Sequence, residues 1–167
     1  STLVTMKCYP WAFEDKVALI GDACHAIVPF YGQGMNAGFE DITVLAECME
    51  KHGDDWLSGL SEYQDLRKPN ADAIAELSYR NFMEMSSSVA DEKFLLQKKI
   101  EKRFSEKYPE KWLPLYSRVT FSDRPYTEAL AEGDRQKAIM DEVMQLPGIE
   151  SKWDSEEVEK KIFEYLS

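Results

Sequence analysis

Long apolar runs, a basic surplus, a metal-ligand cluster and a nucleotide-binding glycine turn are all missing from this sequence, and each absence removes a class of function. No stretch approaches the ~18 apolar residues of a membrane-spanning helix. No secretory leader is visible either. Lys and Arg number 20 against 31 Asp and Glu, a net charge of −11. That balance argues against a nucleic-acid surface, which needs a basic patch. The cysteines Cys8, Cys24 and Cys48 share no CxxC spacing, and with 2 histidines they make a poor zinc set. They read as reduced, buried thiols of a cytosolic protein. No GxGxxG turn is present, so the pyrophosphate cradle of a dinucleotide-binding βαβ unit is lacking. What remains is one domain's worth of chain, long enough for a sizeable core, without repeats or low-complexity tracts.

The most informative stretch runs from Val17 to Asp41. Val17 to Ile20 are apolar and end at Gly21, the pattern of a short buried strand. A loop follows with Asp22 near its start. It closes on Gly32-Gln33-Gly34, and a helix pattern begins near Asn36. Strand, glycine-bearing loop and helix N-terminus in that order form a ligand cradle. Glycine lets the backbone approach a ligand closely, and the free N–H groups and dipole of the helix favour negative charge. Asp22 cannot favour a phosphate, so it suits the hydroxyls of a sugar or polyol.

The rest is organised around helices. Leu3 to Tyr9 alternates loosely and predicts a strand ended by Pro10, with Trp11 and Phe13 as core residues leading through a polar turn. From Asn36 to Lys51, Phe39, Ile42, Ala46 and Met49 recur at helical spacing and predict the buried stripe, with Glu40, Asp41, Glu47 and Glu50 mostly on the wet side. Gly53-Asp54-Asp55 breaks that helix. Leu57, Leu60, Tyr63 and Leu66 predict a second, and Pro69 starts a third that runs to about Met85. Ser86-Ser87-Ser88 marks a break before a helix over 91–106, whose lysines and arginine read as a solvated face. Tyr108 to Arg124 reads as an irregular, ring-rich segment that must pack on something. A helix from Tyr126 to Gln145 follows, and Asp154 caps a last one with Val158, Ile162, Tyr165 and Leu166 as its stripe. His25 has no helical partner and reads as structural. Asn81 is an amide on an apolar stripe, and from pattern alone it reads as a structural bond to a neighbouring loop.

Gly21-Asp22-Ala23, His25-Ala26, Pro29 and Gly32-Gln33-Gly34-Met35-Asn36 together resemble the second FAD-binding motif of the single-component aromatic hydroxylases of the p-hydroxybenzoate hydroxylase type. Lys7-Cys8, Pro10-Trp11, Arg67 to Ala75, Tyr79, Asn81-Phe82, Tyr116-Ser117 and Val119-Thr120-Phe121 resemble the branch of that family that acts on kynurenine. The resemblance runs over nearly the whole chain. It implies an α/β protein: the C-terminal part of an FAD-dependent aromatic hydroxylase fold, a short strand pair followed by a mostly helical region. Residues 1–52 would carry the strand crossing from the substrate domain and the flavin motif with its helix. Residues 53–167 would form the helical region closing the substrate pocket.

The resemblance further implies FAD as cofactor and NADPH as co-substrate, with hydroxylation of L-kynurenine at its ring. Asp22, Pro29, Gln33, Gly34, Met35 and Asn36 would contact FAD. Phe30, Asn81 and Tyr116 would bind substrate, the last two at its carboxylate, and no residue would act as acid or base. The N-terminal part of the same enzyme would be the partner that completes the site. A cytoplasmic location is expected from the short amphipathic end Lys160 to Ser167, and a mitochondrial outer-membrane location if an anchor had been removed. The rival readings are a flavin hydroxylase of another aromatic substrate, and a non-catalytic helical interaction module.

Overall fold

The computed structural model describes residues 3–88 and 91–166. They form two units, one of Ser1–Phe82 with Pro125–Thr127 and one of Met83–Arg124 with Glu128–Ser167. The first unit opens on two strands, β1 (Ala12–Phe13) and β2 (Val17–Ala18), paired antiparallel with Ala12 opposite Ala18 and Phe13 opposite Val17. The pair takes only Val17–Ala18 of the strand expected over Val17–Ile20, and it does not include the other expected strand, Leu3–Tyr9. The latter segment forms no strand. The amide of Met6 donates to the Ala26 carbonyl at 2.8 Å and that of Cys8 to the Cys24 carbonyl at 3.4 Å, so helical-turn carbonyls take the place of a sheet partner. Trp11 is buried as expected, whereas Phe13 is 63% exposed because it alternates with Ala12 onto the open face of the pair.

After β2 come a helical turn, α1 (Asp22–His25), and a long helix, α2 (Gly34–His52). The buried face of α2 differs from the expected stripe. Ala37, Asp41 and Cys48 are buried, while Phe39 is 60% and Ile42 54% exposed and Ala46 is also exposed. Asp41, expected on the wet side, is fully buried. The helix has two apolar faces, and the one that meets the rest of its unit carries Val44, Leu45 and Cys48 against Trp11, Tyr63 and Ala71.

The expected break at Pro69 is absent. One helix, α3 (Trp56–Met83), runs through it. Leu60, Tyr63, Arg67, Ala71, Ile74 and Ser78 are buried at spacings of three and four, an unbroken stripe across the proline. Pro69 costs the helix one amide, the one that would bond the carbonyl of exposed Asp65. Leu57 and Leu66 lie off that stripe and are exposed, against expectation. Past Met83 the chain continues as a π-helical turn, Glu84–Ser88, which is the break the three serines predict.

The second unit is helical: α4 (Glu92–Lys107), α5 (Leu115–Phe121), α6 (Tyr126–Val143, whose first residues belong to the first unit), α7 (Ile149–Lys152) and α8 (Glu156–Leu166). Its core gathers Ile100, Phe104, Trp112, Ile139, Met140, Val143, Ile149, Val158 and Ile162. Each large side chain there contributes about 1.5–3 kcal/mol by leaving water. Asp91 caps α4 by accepting from the Lys93 amide at 2.8 Å. The segment 108–124 is less irregular than expected, since α5 lies within it. Its rings divide, with Trp112 buried and Phe121 exposed. The residue before α8 is Ser155, one beyond the expected cap Asp154. Of the basic face of α4, Lys102 is solvated, but Arg103 pairs with Glu159 at 2.7 Å. Glu159 also accepts from Lys107 and Tyr108. The Lys107 bond, helped by those of Arg103 and Tyr108, overcomes burial and pulls the carboxyl down to about 2. No described helix is long and apolar enough to cross a membrane.

Candidate functional site

An open cleft of about 580 Å³ lies in the first unit where β2 ends and α2 begins. Ile20, Gly21 and Asp22 line one side, Pro29, Gly32 and Gly34 the loop, and Met35, Gly38, Phe39 and Ile42 the helix. Gly21 enters α1 at φ 59, ψ −136. A Cβ there would meet only the Cα of Gly38, at 3.9 Å, so backbone conformation rather than space demands glycine.

The two sides of the cleft offer different chemistry. Asp22 is exposed at the start of α1 and presents acceptors for hydroxyl groups. Across from it, α2 starts without a side-chain cap and without an acid in its first turn. The first amide bonded into the helix is that of Ala37, donating to the Gln33 carbonyl at 2.9 Å. The amides of Gly34, Met35 and Asn36 therefore have no intrahelical acceptor, and they carry the positive end of a 19-residue helix to the cleft.

Of the residues expected to contact a cofactor, Asp22, Pro29, Gly34 and Met35 line this cleft. Gln33 and Asn36 do not: the Gln33 side chain is buried, and exposed Asn36 is bonded to it. Gln33 Nε2 donates to the Tyr31 carbonyl, and its Oε1 accepts from Asn36 Nδ2 at 2.8 Å and from the Tyr126 hydroxyl at 3.2 Å. Burial pushes the Tyr126 phenol up to about 12, so it stays a neutral donor. Gln33 and Asn36 thus shape the loop and leave only main-chain groups for a ligand.

Beneath the cleft lies a charge cluster that pattern reading missed. Asp41 Oδ2 accepts from the Gly21 amide at 2.9 Å and is hydrogen-bonded to His25 Nε2, and Oδ1 accepts from Arg67 Nε at 2.8 Å. Arg67 also donates to Glu40 at 2.7 Å and to the Ala37 carbonyl. Burial pulls the Asp41 carboxyl upward, but the bonds from His25, Arg67 and Gly21 outweigh it and hold the group below its ordinary range. His25 stacks on Trp11 with ring centroids 5.2 Å apart, and its Nδ1 is buried without a hydrogen-bond partner. The pair resembles an acid–base dyad, but both members are closed off from solvent and cannot reach a substrate. Cys24 lies close enough to complete a three-ligand metal set. Both Asp41 oxygens are already taken, however, and burial followed by the Asp41 charge raises the Cys24 thiol to about 12, away from thiolate. A signal was present in the sequence: Arg67 is the one cation on α3's buried stripe, and a buried cation requires an anion.

Phe30 and Asn81 are brought together. Asn81 Nδ2 donates to the Phe30 carbonyl at 2.8 Å, and the Phe30 ring sits 4.7 Å from that of Phe82. The end of α3 thus holds the loop by its backbone and by its ring. Tyr116 belongs to the second unit, on α5, where it is 54% exposed and meets Phe121 edge-on.

Comparison with known proteins finds similarity over the stretch that holds this cleft. A family model described as an FAD binding domain matches residues 5–78, which include the whole cleft. The kynurenine 3-monooxygenases of Flavobacterium johnsoniae and Christiangramia forsetii are 75% and 64% identical over 99% of this chain. That of Caenorhabditis elegans is 42% identical over 85% of it. The chain spans 37%, 37% and 31% of their respective lengths. Residues 5–78 are thus similar to an FAD binding domain. Over nearly its whole length the sequence is similar to the kynurenine 3-monooxygenases named above.

Proposed function

We propose that this chain is the C-terminal part of an FAD-dependent monooxygenase that converts L-kynurenine to 3-hydroxykynurenine with NADPH and dioxygen. The observation that supports it most is the cleft, which sets a hydroxyl acceptor, Asp22, across from the uncapped start of α2. That pairing suits a ligand with a polyol at one end and a developing negative charge at the other. FAD, when bound, supplies the electron transfer and the oxygen chemistry.

The chain's own residues bind and orient. Asp22 accepts from the polyol, the amides of Gly34, Met35 and Asn36 favour negative charge, and Pro29 gives the loop a rigid wall. Phe30, stacked on Phe82, shields the reacting ring from water. Asn81 spends one N–H on Phe30 and keeps its second for the substrate carboxylate. The Tyr116 hydroxyl is a neutral donor that also suits a carboxylate. No side chain in this scheme acts as acid or base. The N-terminal part of the enzyme supplies the NADPH and pyrophosphate contacts, and three free thiols suit a cytoplasmic setting.

The test is flavin content. The full-length protein should purify with FAD, and its Asp22→Ala variant should lose most of it. Equal flavin in the two would remove Asp22 from the site. No flavin in the unmutated protein would leave the helical interaction module.

A further inference from the structure

We infer that Asp41 is a positioning residue for the FAD-facing turn, fixing the Gly21 amide and so aiming Asp22, while Arg67 and His25 hold the carboxylate in place. The inference rests on the reading of Asp22 as the polyol acceptor. It starts from geometry. Gly21 and Asp22 are adjacent, and both line the cleft. The Gly21 amide ends on Asp41 at 2.9 Å. The carboxylate is fully buried and receives donors from three places: the turn, α1 through His25, and α3 through Arg67. Arg67 is itself fixed by Glu40 and the Ala37 carbonyl, both on α2. Trp11 stacks over the His25 ring and Tyr63 donates to the Leu19 carbonyl at 3.0 Å, closing the cluster to water.

A buried ion cluster is a poor way to gain stability, because desolvation consumes most of the attraction and apolar side chains would serve as well. It is a good way to hold one amide in one direction. Every acceptor position here is matched to a donor on a different element, so the turn cannot shift without breaking a charged bond. The residue held is the one before Asp22, at a backbone conformation that glycine alone adopts easily. Held this way, Asp22 meets the ligand's hydroxyls already oriented, which reduces the ordering cost of binding.

The test uses the full-length protein, with FAD Kd read by fluorescence and thermal unfolding read in parallel. Asp41→Asn keeps the shape but sets an amide N–H₂ against either the Gly21 amide or the Arg67 Nε–H. It should raise FAD Kd about 10-fold, and so should Asp22→Asn. The double variant should be no weaker than the weaker single one, because both changes break the same contact. Should Asp41→Asn not fold, Arg67→Lys is measured instead. It keeps the cation but loses the fork that bridges Asp41 and Glu40, and it should weaken FAD with the same lack of additivity. Glu159→Gln, in the second unit, is the stability control: its unfolding temperature should fall with FAD Kd unchanged.

An unchanged FAD Kd in folded Asp41→Asn overturns the inference, as does a double variant weakened about 100-fold. If Asp22→Asn binds FAD normally, the reading of Asp22 fails and takes the inference with it. If Asp22→Asn weakens FAD and Asp41→Asn does not, the inference alone fails.

Discussion

Asn81 is asked to do two jobs, and replacing it with leucine separates them. The side chain is half-buried near the end of α3 and donates through Nδ2 to the Phe30 carbonyl at 2.8 Å. Leucine has the same branching and the same number of side-chain heavy atoms, though it is bulkier, and it has no donor. The Phe30 carbonyl would lose its partner at a site that water partly reaches, a cost near the lower end of the range for an unmet group, about 1 kcal/mol. The second N–H of Asn81, offered to a substrate carboxylate, would make a charge-assisted bond worth about 1.5–3 kcal/mol. Its loss corresponds to roughly a 10- to 100-fold rise in kynurenine Kd. Titrating L-kynurenine into the full-length Asn81→Leu variant and following flavin absorbance measures the second effect, and urea denaturation measures the first. A variant that is destabilised by about 1 kcal/mol yet binds kynurenine normally would refute the carboxylate role and leave Asn81 as a loop anchor only.

Gly21→Ala forces a side chain to φ 59 with room to spare, so it should destabilise by strain alone, about 1–3 kcal/mol in urea denaturation. A loss far above that would mean a clash the structure does not contain. Tyr116→Phe should raise kynurenine Kd more than it disturbs FAD, and titration of each ligand would show it. Glu159 is bonded to Lys107, Arg103 and Tyr108, and its carboxyl is pulled down to about 2 from an unfolded value near 4.3. A lowered pKa stabilises above the unfolded value, so this contribution is full at neutral pH and is lost as pH falls from about 5 toward 2. Glu159→Gln should cost about 2–3 kcal/mol at pH 7 and flatten that acid limb, as urea midpoints at pH 7 and pH 3 would report.

The cleft was legible because its parts are local: a strand end, an acid, glycines and a helix start follow one another within about 20 residues. The helical character of the rest was legible for the same reason. What failed were inferences needing knowledge of which face is covered. Phe39 and Ile42 have helical spacing, but so do Ala37, Asp41 and Cys48, and only the packing of α2 on α3 decides between the two faces. Pro69 stopped a helix on paper, yet buried residues continue at three and four residues on both sides of it, and burial outweighs one lost amide bond. Asp41 and Arg67 lie 26 residues apart, so the pattern could show that Arg67 needs an anion but not which one it meets. His25 looked partnerless by the same limit, its carboxylate arriving from the next helix. Phe30 and Asn81 meet across 51 residues: an amide on an apolar stripe predicted a bond to a neighbouring loop, but not which carbonyl would accept it.

The most direct test is NADPH oxidation by the flavin-loaded full-length protein, with and without L-kynurenine, together with analysis of the product. The proposed function predicts oxidation stimulated by kynurenine, with 3-hydroxykynurenine formed in step. Bound flavin whose NADPH oxidation ignores kynurenine and yields no hydroxylated product would contradict it.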